Sequence, residues 1–169
     1  MIPMIEPIVG EMREESVVTK RVLERVPADK LSWKPHPKSM SLGQLALHIA
    51  SVPGSLAKIL QQDEFEPNPA AFDPPIPRNV GEILTTFEQG THTAEEFLSS
   101  MDERTALGKW RVKAPNGREV LCAPRIAAVR TIMLNHCYHH RGQLSVYLRL
   151  LDVPVPVIYG RSADENPFA

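Results

Sequence analysis

The chain is poor in several features that would signal a function directly. Aromatic residues make up 6% of its 169 residues, and the formal net charge is −1. A surface that stacks bases or tracks phosphates needs more aromatic rings and more positive charge, so neither nucleic acid nor an acidic membrane is an expected partner. No apolar run approaches the ~20 residues that span a bilayer. The N-terminus, "MIPMIEPIVGEMREE", has no basic stretch before its apolar residues and turns acidic at once, unlike a secretory leader. There are two cysteines, Cys122 and Cys137, in no CxxC spacing. A chain of this size needs no disulfide framework, so both read as reduced thiols and the expected compartment is the cytoplasm.

What is present is ordinary globular composition, 43% hydrophobic and 23% charged. That is enough for one continuous core and a single domain over residues 1–169. Most of the sixteen prolines cluster between helical patterns, where they mark long connections.

Four helical patterns are visible. The first, from about Met4 to Val26, places Ile5, Val9, Met12, Ser16, Thr19, Leu23 and Val26 inward at three-and-four spacing. Its centre, Ser16 and Thr19, is small and polar, which suits either close helix packing or a cavity wall. The second opens at Ser41, with Gln44 completing a capping box, and carries Leu45, His48, Ile49, Val52, Leu56 and Ile59 on one side. Pro53 cannot donate to the Ile49 carbonyl, so a kink or break is expected just after His48. The third follows a capping signal at Asn79 and Glu82 and turns Ile83, Phe87, Gly90, Ala94, Phe97 and Met101 inward. Asn116-Gly117 between short alternating runs predicts a hairpin, Trp110–Lys113 against Arg118–Leu121. The fourth is expected to open with Pro124 in its first turn and to run to about Leu151. The fold class is therefore all-α, a four-helix bundle with long connections and a small β-hairpin before the last helix. Connections this long can recross a bundle, so neighbouring helices need not all be antiparallel.

Histidine is awkward in a core, because its ring nitrogens need partners. In the last pattern Val129, Met133, His136, His140, Tyr147 and Leu151 fall within a stripe about 60° wide. His136 and His140 are spaced i,i+4 on it, which lets two imidazoles meet one metal ion. Such a site requires a third ligand, and His48 is the other histidine on an inward helix face. His139 lies about 60° off His136 and reads as a flanking or surface group. His92 falls on the outer side of the third helix, and His36 lies in a proline-rich loop. Cys137 reads as a small core hydrophobe. Gln143 is about 20° from His136 and is the candidate for orienting a metal-bound ligand. Arg141 is well off the stripe, suited to a salt bridge or an anionic substrate, and Gly142 suits close approach of another helix or subunit. No carboxylate falls on an inward stripe near the histidines, so the general base, and any catalytic residue, is unknown.

Two segments carry a family resemblance: "LSWKPHPKSMSLGQLALHIA" (31–50) and "NHCYHHRGQL" (135–144). The first resembles the W-x-P…S-x-x-x-L-x-x-H segment of the DinB-like (YfiT-like) superfamily, and the second its H-x-x-x-H-R-G-Q signature. The tail "PVPVIYG" (154–160) is also common in that family. The resemblance implies a bundle in up-down-down-up order and a divalent metal, zinc or nickel foremost, held by His48, His136 and His140. It also implies a small-molecule substrate and a possible homodimer. Relatives include thiol S-transferases that use low-molecular-weight thiols, and others are described as metal-dependent hydrolases. The implied chemistry is a metal-dependent enzyme that activates a thiol co-substrate or water. The alternative is a metal-binding or stress-related bundle without turnover, and a further reading is a metal-free bundle whose histidines bond to one another.

Overall fold

The computed structural model describes residues 2–68 and 74–168. The four helical patterns become α1 (Glu6–Leu23), α2 (Leu42–Leu60), α3 (Val80–Ser100) and a composite last helix. A short helix α4 (Glu103–Leu107) follows α3. The last helix consists of α5 (Arg125–Ala128), a π-helical turn (Val129–Leu134) and α6 (Asn135–Leu150).

The caps explain the starts. Ser41 Oγ accepts from Gln44 N while Gln44 Oε1 accepts from Ser41 N, satisfying two otherwise orphaned amides at the start of α2. At α3, Asn79 accepts from Glu82 N, but the Glu82 carboxylate reaches one residue further back, to Arg78 N. Pro124 does not occupy the first helical turn. It is extended, pairs with Lys109 as the last residue of a strand, and stands immediately before α5. Nor does α2 break after His48: it runs through Pro53 to Leu60. The neighbouring helix lies close against it there. A Cβ on Gly54 would stand 2.8 Å from the Gly90 Cα, so this is where the backbones of α2 and α3 pass closest. Gly54→Ala is therefore expected to destabilise the protein by about 1–3 kcal/mol through overpacking, despite alanine's better helix propensity; an unchanged urea midpoint would contradict this.

Paired contacts give the helix directions. Arg13 and Lys20 of α1 pair with Glu95 and Glu88 of α3, so these two run antiparallel. Glu11 meets Arg130 and Tyr138, while Glu15 and Thr19 meet Arg141, so α1 and the last helix run parallel. Leu60 meets Arg125 and His48 meets His136, so α2 opposes the last helix. The order is up-down-down-up.

The hairpin forms as β2 (Lys109–Lys113) against β3 (Glu119–Pro124), turning at Gly117 with φ +78°. A strand not foreseen in the sequence, β1 (Glu64–Phe65), adds to β2 in parallel and makes a three-stranded sheet. The buried Arg125 guanidinium ties this end together by donating to the carbonyls of Leu60, Gln62 and Thr105.

The core is in two parts. One gathers Val9, Ala57, Leu60, Phe97, Trp110 and Met133; the other gathers Leu23, Leu45, Ile49, Ile83, Leu144 and Leu148. Between the two parts each long helix changes character: Ser16 and Thr19 on α1, Pro53 and Gly54 on α2, Gly90 on α3, and Cys137 to Arg141 on α6. The histidines belong to this middle level.

Candidate metal centre

The π-helical turn sets the geometry of the site. Val129 and Leu148 are both fully buried, yet an uninterrupted α-helix would leave them about 100° apart around its axis. A π turn inserts one extra residue and removes that offset. From there on, the inward row is Cys137, Arg141, Leu144 and Leu148. The stripe read from the sequence is thus rotated: Arg141 is interior and Gln143 exposed, the reverse of the expectation. His136 and His140 lie at the flank of the buried row, half-buried, turned toward α2.

His48 meets them there. One ring nitrogen from each of His48, His136 and His140 lies within 4.8 Å of the others. The Nε2 atoms of His48 and His136 are 2.8 Å apart, and the His140 ring centroid is 4.6 Å from each of the other two. Nitrogens held tetrahedrally at zinc-type distances stand about 3.3 Å apart, a value between these limits, so the trio is compatible with metal binding. Its charge state also fits. Burial, then His140 and His136, pushes the His48 imidazole down to about 4. Burial, then His140 and His139, pushes His136 down to about 4. Burial lowers His140 as well, opposed by its bond to Gln143. All three are neutral near pH 7, the form that ligates.

Gln143 acts on His140 from outside. Its Oε1 is 2.7 Å from His140 Nδ1. An amide oxygen only accepts, so Nδ1 donates and the Nε2 lone pair is free. His139 is exposed, with its ring 4.9 Å from His140. His92 is exposed and pairs with Glu96, and His36 is an exposed loop residue accepting from Lys38 N. Among the described residues nothing lies within 4 Å of where a Gly142 Cβ would stand, so that glycine serves no close approach to them.

The sequence reading missed what surrounds Arg141. Its Nη1 donates to Thr19 Oγ1 at 3.0 Å and pairs with Glu15 at 2.6 Å, while Nη2 donates to Tyr159 Oη at 2.5 Å. The rings of Tyr138 and Tyr159 flank it at 5.3 and 5.0 Å. A carboxylate therefore does enter the middle level, from α1, already paired. Cys137 is a buried neutral thiol, pushed up to about 12 by burial. The proline-rich 63–78 connection lies partly outside the described residues; Gln44 Nε2 donates to Pro74 O, so its far end packs on the start of α2.

The lowered histidines make a pH prediction. Between an unfolded value of 6.5 and a folded value of about 4, the unfolded chain binds protons that the folded metal-free chain refuses. Stability should then fall as pH drops through that window and be indifferent to these groups above it. Urea melts of chelator-treated protein at pH 7.5, 6 and 5 check this. A His48→Ala/His136→Ala double variant that lost stability just as steeply would show that other groups are responsible.

Fold and site together define a class: a helical bundle in up-down-down-up order, with a small sheet, whose second and last helices converge on three neutral histidines. The chain belongs to the DinB family, whose model matches residues 6–166. Among individual relatives, the uncharacterised protein YrdA of Bacillus subtilis (strain 168) is 23% identical over 158 residues, covering 89% of this chain and 85% of its own. The fold is also that of two DinB-like crystal structures. The protein from Bacillus cereus ATCC 10987 superposes with a TM-score of 0.71 at 23% identity, covering 91% of this chain and 97% of its own. YjoA from Bacillus subtilis gives 0.68 at 22%, covering 90% and 96%. No described helix is long and apolar enough to cross a membrane.

Proposed function

We propose that the protein is a divalent-metal-dependent enzyme in which His48, His136 and His140 hold the ion, and that it activates a low-molecular-weight thiol or water against a small electrophilic substrate. The observation that carries this reading is the convergence of three neutral ring nitrogens within 4.8 Å. A zinc or nickel ion held there by three uncharged imidazoles would keep its double charge and would supply a Lewis acid. The chain supplies the rest. Three imidazoles rather than carboxylates leave that charge uncompensated. Gln143 holds the His140 ring in the tautomer that presents Nε2. Glu15 is paired with Arg141, so no side-chain carboxylate is assigned as general base.

A panel of small thiols with a chloro-dinitroaromatic, run beside simple esters and amides, tests the reading. The expected result is thiol-dependent turnover that disappears in His136→Ala protein of unchanged circular dichroism. Turnover of esters or amides alone would make the protein a hydrolase. No turnover with either, in protein that holds metal, would leave a non-catalytic metal-binding bundle. The 2.8 Å contact between His48 and His136 favours one other reading, a hydrogen-bonded histidine pair that needs no metal, and metal analysis decides it.

A further inference from the structure

We propose that the gap between the two halves of the core is a binding cavity for a small, uncharged, apolar group, a short alkyl group or its like. The proposal does not depend on what the histidines hold. The gap is lined by residues from all four long helices, among them Met12 and Ser16 of α1, Pro53 of α2, Phe87 of α3, and Met133 and Cys137 of the last helix. Its volume is about 20 Å³, above the ~10–15 Å³ that one water-sized group needs.

The chemistry of the lining selects the occupant. A buried water needs about two to four polar partners, and the polar groups here are engaged elsewhere. Ser16 Oγ donates to Met12 O at 2.6 Å, and Thr19 Oγ1 accepts from Arg141. Tyr138 Oη donates to Glu11 at 2.9 Å, and the Glu15 carboxylate is held by Arg141 and Tyr159. What remains are methionine, phenylalanine and proline surfaces that gain contacts from any apolar atom and offer nothing to a charge.

The gap backs onto the surface at one wall. Met12 and Ser16 also line an outer groove between α1 and α3, beside the Arg13–Glu95 ion pair. It also neighbours the histidines. Cys137 is three residues before His140 of the trio on α6, the spacing of side-chain neighbours on an α-helix. An apolar end group lodged in the gap would therefore lie one helix step from the trio, which gives the cavity a use in selecting substrates.

Xenon is the probe, read by the methionine methyl signals of the intact chain labelled with ¹³C-methyl methionine. Met12 and Met133 should shift saturably on xenon titration, and Met40 and Met101, away from the gap, should not. Ser16→Ala removes the hydroxyl and should bind xenon at least as well. Ser16→Leu fills the space and should weaken binding by about tenfold or more, equivalent to ~1.4 kcal/mol. Absence of a saturable shift at Met12 and Met133 overturns the proposal, as does an equal drift of all methionines. If the Ser16→Leu chain does not fold, the wild-type and Ser16→Ala titrations still decide. Metal content measured on the same samples separates the two readings: xenon binding without metal leaves the cavity and removes the enzyme, and the converse does the opposite.

Discussion

Protein purified without an affinity tag is expected to carry about one equivalent of a divalent metal, and His48→Ala protein well below that. His48 comes from α2 and the other two histidines from α6, so its loss leaves two nitrogens on one helix and opens the site on the side α2 had closed. Groups that merely orient a ligand typically contribute about 10–100-fold to metal affinity. Loss of a ligand should exceed that range, and Gln143→Ala should fall within it, because Gln143 reaches the trio through its bond to His140 Nδ1. Elemental analysis and competition with a chromophoric chelator measure both. Wild-type metal well below one equivalent, unchanged in His48→Ala, would count against the site and favour the hydrogen-bonded histidine pair. Equal losses in the two variants would deny Gln143 its separate orienting role.

Arg141→Met is expected to cost about 3–5 kcal/mol of stability, the usual consequence of removing one partner from a buried ion pair. Arg141 is 1% exposed. Its guanidinium joins α6 to α1 through Glu15 and Thr19, and to the C-terminal segment through Tyr159. Without it the Glu15 carboxylate stays partly buried and loses its counter-charge. The midpoint of thermal unfolding should drop by roughly 6–15 °C for a chain of this size. Measured in the presence of chelator, the loss reports the network and not the metal. Replacing both partners, Arg141→Met with Glu15→Leu, should recover much of it, since a well-packed apolar pair can match a buried ionic one. A single variant within about 1 kcal/mol of wild type would refute the network's role in stability.

Much of the fold was legible along the chain because its signals are local. The Ser41–Gln44 capping box, the inward row of α3 and the Asn116-Gly117 turn each depend on residues within a few positions of one another. β1 was not legible: two residues among prolines carry no periodicity, and they become a strand only where β2 offers a free edge. Continuity of α2 through Pro53 was likewise hidden, because the close packing of α2 on α3 at Gly54 and Gly90 joins residues far apart in sequence. The three histidines were found by spacing and family resemblance together. The residues around Arg141 were not, since Glu15, Thr19 and Tyr159 are distant in sequence and only the packing of α1 and the tail against α6 brings them to one guanidinium.

By itself, the sequence determined which side chains are available: three imidazoles at helical positions, small residues at the middle of the helices, and apolar rows on either side. Only the tertiary structure decided which way the last helix faces. A π-helical turn at Val129–Leu134 slips the helix by one residue, and so brings buried Val129, within the turn, into line with buried Leu148, beyond it, where an unbroken α-helix would set them about 100° apart. That slip takes Arg141 inside, leaves Gln143 outside against His140, and turns His136 and His140 to meet His48.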